Sequence, residues 1–339
     1  MNILITGGAG YIGSHTVVTL AQAGHNITVF DNLSNSKISV IDQLEKILGF
    51  RINFIKGDVR DTQLLSKTIK NNQTNGVIHF AGLKSVSEST ANPILYYSNN
   101  VQGTISLIEA MIVNQVKTCV FSSSATVYGI PVYSPYDEGH PTKPINPYGN
   151  TKLEVEMILQ DWAKSDPEVR VSILRYFNPI GAHKSGLIGE HPNQIPNNLM
   201  PYISQVVDGA LSYLNIYGSD YETRDGTGER DYIHVMDIAE GHLAALNFLN
   251  GSAGAHIHNL GSGKATTVLE LIKEFEKSNA LTIPYKFALR RDGDLPSYYS
   301  DASKALNELK WFTKRNLSEA CRDTYRFSQM LHMHKPKKI

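Results

Sequence analysis

Tyr148 and Lys152 stand four positions apart in the run Tyr148-Gly149-Asn150-Thr151-Lys152. On a helix, residues at i and i+4 share one face. A free phenol titrates near 10 and is a poor base at neutral pH. A neighbouring ammonium favours the phenolate and lowers that pKa, so the pair reads as a general base with its own electrostatic helper. Tyr-x-x-x-Lys alone is common on solvated helices; a second element gives it weight. In Phe121-Ser122-Ser123-Ser124-Ala125-Thr126-Val127-Tyr128-Gly129, Ser124 can donate and accept a hydrogen bond on a reacting hydroxyl.

A third motif names the partner chemistry. Thr6-Gly7-Gly8-Ala9-Gly10-Tyr11-Ile12-Gly13 follows a short apolar run and opens a helical stretch. Gly7, Gly10 and Gly13 have the spacing in which one glycine makes a tight turn, another lets the backbone approach a pyrophosphate, and a third lets helix and sheet pack closely. The pyrophosphate would meet the free N–H groups of the helix N-terminus. Asp31 closes the next apolar run, where a carboxylate accepts hydrogen bonds from ribose hydroxyls and repels a 2′-phosphate. The expected cofactor is NAD rather than NADP, and its cationic nicotinamide would further favour the Tyr148 phenolate. Asp58 and the Phe80-Ala81-Gly82 turn are weaker contributors, each at the carboxyl end of a predicted strand.

The elements that must position these residues alternate. Strands are predicted at 2–6, 27–30, 52–55, 76–80, 116–122 and 171–174, and helices at about 11–23, 62–70, 93–114 and 147–162. Such alternation argues for an α/β, Rossmann-type doubly wound parallel sheet. After about Arg175 the rhythm breaks into a stretch rich in Gly, Pro, Asn and Asp, with a helix near 197–208 and a strand at 214–217. A helix (237–248) and strand (256–260) then resume it. A smaller C-terminal substrate domain interleaved with the first follows: residues 1–177 with about 232–262 for the cofactor, 178–231 with about 263–339 for the substrate.

With 32 basic and 32 acidic residues, the chain has no net field to recruit nucleic acid or an anionic membrane. The opening residues do not read as a signal peptide, and no apolar run approaches the ~20 residues of a membrane span. Two cysteines, Cys119 and Cys321, fit a reducing compartment better than a disulfide scaffold. A cytoplasmic protein is expected, with the basic tail at 332–339 as frayed surface. Twelve histidines lie without ligand spacing, so no metal is expected, and His79 and His234 read as structural.

TGGAGYIG, SSSATVYG and YGNTK, in this order, resemble the extended short-chain dehydrogenase/reductase family. Within it, HFAGLKSVSES (79–89), YYSNNVQGT (96–104), LRYFNPIGAH (174–183), IPNNLMPYI (195–203), DGTGERDYIHVMD (225–237) and RRDGDLPSYYSD (290–301) look like the branch that inverts C4 of a UDP-hexose. The resemblance implies Tyr148 as proton acceptor and donor, Lys152 as the ribose-binding, pKa-lowering residue, and Ser124 as hydroxyl partner. Around NAD it places Tyr11, Ile12, Asp31, Asn32, Asn35, Asp58, Val59, Phe80, Ala81, Lys84 and Asn99, with Phe177 near the nicotinamide. To the substrate it assigns Asn178, Asn198, Leu199, Arg230, Arg291 and Asp294, with Tyr217 near the uracil and Tyr298 as the wall that decides room for an N-acetyl group. Asn150-Thr151 departs from the Lys-Ser that the family often carries there.

The implied activity is NAD-dependent interconversion of UDP-glucose and UDP-galactose through a transient 4-keto sugar. The family's dehydratases resemble T-D-E-V-Y-G in the loop where this chain has Ala125 and Thr126, which cannot supply the extra acid and base. A dehydratase or decarboxylase, a UDP-N-acetylhexosamine 4-epimerase, a net dehydrogenase and a non-enzymatic NAD-binding regulator are the competing readings. The helices near 93–113 and 149–162 are candidates for a homodimer interface.

Overall fold

A computed structural model describes residues 1–191, 198–291 and 294–333. The first part runs β1 (Asn2–Thr6), α1 (Tyr11–Gln22), β2 (Asn26–Asp31), α2 (Ser39–Leu48), β3 (Asn53–Lys56), α3 (Thr62–Asn71) and β4 (Gly76–His79). Then α4 (Val86–Ala91) and α5 (Pro93–Tyr96) lead into α6 (Gly103–Val113), β5 (Thr118–Ser124), α7 (Pro147–Ser165) and β6 (Arg170–Tyr176). Next come β7 (Asn178–Ile180), α8 (Leu199–Val207), β8 (Leu214–Tyr217), β9 (Glu229–His234), α9 (Val235–Phe248) and β10 (Gly254–Leu260). The last elements are β11 (Ala265–Thr267), α10 (Val268–Asn279), β12 (Tyr285–Ala288), β13 (Ser297–Tyr298) and α11 (Leu317–Met333).

Seven strands form one parallel sheet in the order β10-β6-β5-β4-β1-β2-β3. Successive side chains of a strand face opposite sides, and β1 shows the consequence. Ile3 and Ile5 join Val17, Leu20, Ile238 and Leu246 of α1 and α9 in one core. Leu4 joins Leu65, Leu107, Met111, Val155 and Leu159 of α3, α6 and α7 in the other. Both faces are covered, which is why the strands read as continuous apolar runs. Winding starts at β1 and reverses between β1 and β4, and a crevice opens at such a switch point beyond the carboxyl ends of the strands. Thr6 O accepts from Phe80 N at 2.9 Å, so the two strand-end turns lie side by side.

The rest of the chain builds a smaller body. β11, β9, β13 and β7 make a four-stranded sheet, and β8 and β12 a parallel pair. Met200, Ile203, Leu214, Ile216, Leu271, Phe275 and Cys321 form its own core.

Three predicted elements need correction. The expected helix over 93–114 is interrupted by a π-helical turn at Tyr97–Gln102. There Asn100 accepts from Leu83 N (2.8 Å) and donates to Leu83 O and Thr151 Oγ1 (3.0 Å each), a side-chain demand that outweighs regular winding. The strand expected at 116–122 starts at Thr118 and runs to Ser124, because Val116 N closes the end of α6 on Met111 O. α7 continues to Ser165. Sequence reading assigned no helix at α10, although Thr267 and Glu270 form a reciprocal capping box.

Both cysteines are buried free thiols. Among the described residues no helix is long and apolar enough to cross a membrane. Most of the predicted basic tail (334–339), residues 195–197 of one matched stretch, 292–293 of another and the first residue of the helix expected at 197–208 lie outside the described residues.

Candidate active site

A cleft of about 1420 Å³ lies over the carboxyl edge of the large sheet and reaches β9 and β13 of the smaller body. Gly7, Gly10, Tyr11, Ile12, Gly13, Asp31, Asn32, Asn35, Val59, Phe80, Ala81, Gly82, Lys84, Asn99 and Phe177 all line it. Gly7 has φ +70°, and a Cβ there would stand 2.7 Å from Ala81 N, so only glycine permits the two turns to approach. A Cβ on Gly13 would meet Gly7 O at 2.3 Å. This loop opens α1 with no side-chain cap, leaving helix N–H groups free to meet a ligand's phosphates. Asp31 is held by Ala9 N (3.0 Å), Leu33 N (2.8 Å) and Ser36 Oγ (3.1 Å). The turn, the helix end and the carboxylate together fit an adenine dinucleotide without a 2′-phosphate.

The catalytic junction is made where α7 meets the end of β5. Asn146 caps α7 by accepting from Gly149 N (2.9 Å), and Pro147 opens the helix with its φ already suitable. Tyr148 therefore sits in the first turn, where the helix dipole favours an anion. Lys152, one turn on, donates from Nζ to Ser122 O at 2.7 Å, and its ammonium lies 6.0 Å from the Tyr148 ring centroid. The Ser124 hydroxyl stands beside the Tyr148 phenol, and Thr126 donates to Ser124 Oγ from Oγ1 (2.9 Å) and N (3.2 Å). Ser124, Tyr148 and Lys152 all face the cleft.

The titration of Tyr148 departs from the expectation. Burial pushes the phenol up to about 12, and the neighbouring Ser124 hydroxyl offsets only part of that. Lys152 is brought down to about 8 by burial, against the pull of Glu156. An ammonium that is itself stripped of water, and bonded to a carbonyl, does not produce a phenolate in the protein alone. A cationic ligand beside the ring would favour the phenolate.

On the opposite wall, Asn178, Asn198, Arg230, Arg291, Asp294 and Tyr298 line the cleft. Arg291 Nε donates to Asp294 (2.9 Å) and Arg230 Nη2 lies 3.6 Å from the same carboxylate, so two guanidinium forks converge there. Two such forks suit a diphosphate. Tyr298 packs against Tyr136 (4.8 Å) and Phe177 (5.2 Å), with its hydroxyl buried and unpartnered.

Asp58, Leu199 and Tyr217 are not among the cleft walls. The Asp58 carboxylate is bound by Arg60 (2.7 Å) and, at 3.4 Å, by Asn32, which does line the cleft. Tyr217 stands 40% exposed beside the Arg291 guanidinium (4.9 Å). Sequence reading missed Glu190, which accepts from both Lys84 (2.9 Å) and Asn198 (3.1 Å). It also set aside Thr151, which is wholly buried and bonded to Asn100. Neither has a local signal, since both act through residues distant in sequence. His79 is bonded to Thr6 (2.6 Å) and Thr104 (3.0 Å), and His234 caps α9. Among the described residues no group of three His, Cys, Asp or Glu could hold a metal ion.

The UDP-glucose 4-epimerase of Pasteurella multocida is 54% identical over 333 residues, spanning 97% of this chain and 98% of its own. The chain belongs to the UDP-glucose 4-epimerase family. A family model described as GDP-mannose 4,6 dehydratase also matches residues 4–324, so the wider group includes dehydratases. Two solved members of the epimerase family share the fold throughout. The Stenotrophomonas maltophila enzyme, crystallised with NAD and formylated UDP-arabinopyranose, is 45% identical with a TM-score of 0.97, covering 99% of this chain and 100% of that one. The Bifidobacterium longum enzyme, crystallised with NAD+ and UDP, is 44% identical with a TM-score of 0.93, covering 97% and 98%.

Proposed function

We propose that this chain inverts C4 of a UDP-hexose, interconverting UDP-glucose and UDP-galactose with bound NAD. The observation that carries the reading is the meeting of Tyr148, Ser124 and Lys152 in a cleft walled on one side by the glycine turn and on the other by paired arginines. Bound NAD supplies a reversible hydride acceptor and the cationic ring that the buried phenol lacks. Tyr148 removes the O4 proton and later returns it, Ser124 orients that hydroxyl, and Lys152 holds a ribose and stabilises the phenolate. Tyr11, Ile12, Asn32, Asn35, Val59, Phe80, Ala81, Lys84, Asn99 and Phe177 surround the dinucleotide, with Asp58 acting through Asn32. Asn178, Asn198, Arg230 and Arg291 hold the diphosphate, with Asp294 giving way and Leu199 and Tyr217 behind them. A hexose held only through its UDP can turn over as the 4-keto sugar and accept hydride on the other face.

Dehydration needs a further acid and base at the reacting sugar. Ala125 and Thr126 occupy the loop beside Tyr148, and Thr126 is bonded to Ser124. The cleft carboxylates are engaged elsewhere: Asp31 with Ala9, Glu88 with Tyr96, Glu190 with Lys84 and Asp294 with Arg291. Residues 1–177 with 232–262 serve the cofactor and the remainder the sugar nucleotide. The enzyme works in the cytoplasm as a homodimer, joined through the exposed Ile94, Ile112, Val113 and Met157 of the helices flanking the large sheet.

The test is to incubate purified protein with UDP-galactose, without and with added NAD, and to identify the product by NMR. UDP-glucose is expected. A 4-keto-6-deoxy sugar, or NADH accumulating with substrate loss, would overturn the reading.

A further inference from the structure

Three residues of α7 at a spacing of four, Tyr148, Lys152 and Glu156, face three consecutive serines of β5. Tyr148 meets the Ser124 hydroxyl and Lys152 the Ser122 carbonyl. Glu156, fully buried and not a cleft wall, accepts from Ser123 Oγ at 2.5 Å. Its carboxylate is also gripped by Arg175 of β6, Nε to Oε1 at 3.0 Å and Nη2 to Oε2 at 2.6 Å. The Arg175 guanidinium lies 4.8 Å over the Tyr128 ring, beyond the catalytic loop.

A carboxylate and a guanidinium buried together are retained at a desolvation cost that apolar residues of equal volume would avoid. The position of this pair suggests what it does. It clamps the middle serine from behind, which fixes the carbonyl before it and the hydroxyl after it. It also places one negative charge a helical turn from Lys152.

We propose that Glu156 is a positioning residue for the reaction, registering Ser122 and Ser124 against α7 and keeping Lys152 cationic while Tyr148 exchanges its proton. This deepens the proposed epimerase reading and rests on it. Lys152 is faced by Tyr148 and Glu156 from α7 and by the Phe121 ring (4.8 Å) and Ser122 carbonyl from β5. His79 of β4 feels the ammonium and is kept neutral by burial, while Tyr176 of β6 bonds Ser122. Glu156 is the group that raises the Lys152 pKa against its burial.

The experiment is kcat for UDP-galactose conversion against pH, for wild type, E156Q, E156D and the double variant E156Q/R175M. With the opposite charge one helical turn away lost, the alkaline limb of E156Q is expected to move down, by about one pH unit. E156D restores the limb even where its rate is lower. The double variant removes the ion pair as a unit, which spares the fold, and its limb lies between those of wild type and E156Q. Equal loss of rate at every pH, with the limb unmoved in both E156Q and the double variant, overturns the proposal. Failure of the wild type to form UDP-glucose would instead overturn the epimerase reading.

Discussion

The two walls of the cleft are built on opposite principles. At the α7–β5 junction Tyr148 is 9% and Lys152 6% exposed, and Lys152 is held on the Ser122 carbonyl. Across the cleft the Arg291 side chain is 53% exposed and tied to Asp294, with Tyr217, 40% exposed, beside it just outside the cleft walls. Burial shifts both pKa values at the junction. On the opposite wall Arg291 holds Asp294 at the surface, where it is free to exchange that partner for a ligand, while the Tyr298 hydroxyl behind it is buried and its pKa is raised by burial as well. Proton transfer needs the first kind of wall; holding a nucleotide while its sugar turns needs the second.

The comparison is sharpened first by acid. Burial lowers His15 and His79 to about 3 and His242 to about 4; His79 lies in β4, and His15 and His242 lie on α1 and α9. Because these folded-state values are depressed, the unfolded chain binds more protons below its own pKa of about 6.5. Stability is therefore full above that pH and lost as pH falls toward 4, by about 1.4 kcal/mol per pH unit for each histidine. Amide exchange at pH 7 and pH 4.5 should show the large sheet losing protection before the smaller body; the reverse order would break the contrast.

Tyr148→Phe removes the proton-transfer group and should lower kcat about 10²–10⁴-fold with KM little changed, in initial rates with UDP-galactose. A loss under tenfold would move the chemistry elsewhere. Arg230→Met removes charged hydrogen bonds of about 1.5–3 kcal/mol, so kcat/KM should fall about 10–100-fold, mainly through KM. A fall in kcat alone would place Arg230 with the junction.

Tyr298→Ser opens the packed wall against Tyr136 and Phe177 and should raise kcat/KM for UDP-N-acetylglucosamine about tenfold, the scale on which a pocket discriminates small apolar groups. Unchanged selectivity would count against that wall. Tyr217→Ala should cost least, a few-fold in KM, in line with about 0.5–1 kcal/mol for an exposed cation–π partner. A calorimetric titration with UDP reads it directly.

Much of this molecule was legible from local pattern. Gly7, Gly10, Gly13 and Asp31 are spaced along one strand–turn–helix–strand unit, so the chain's own geometry brings them to one crevice. Tyr148 and Lys152 share a helix face for the same reason. The resemblance, not the spacing, supplied Arg230 and Arg291, which lie on separate elements of the smaller body. Glu190 and the Glu156–Arg175 pair were invisible because their roles depend on residues brought near only by packing.

The amino-acid sequence by itself determined the parallel sheet, the glycine turn and the Tyr–Lys face, because each follows from periodicity within one or two adjoining elements. Only the tertiary structure decided how far each group of the site is desolvated. Desolvation depends on what surrounds a group from every side, and here it pushes the Tyr148 phenol up, against the lowering expected of Lys152 and the nicotinamide together.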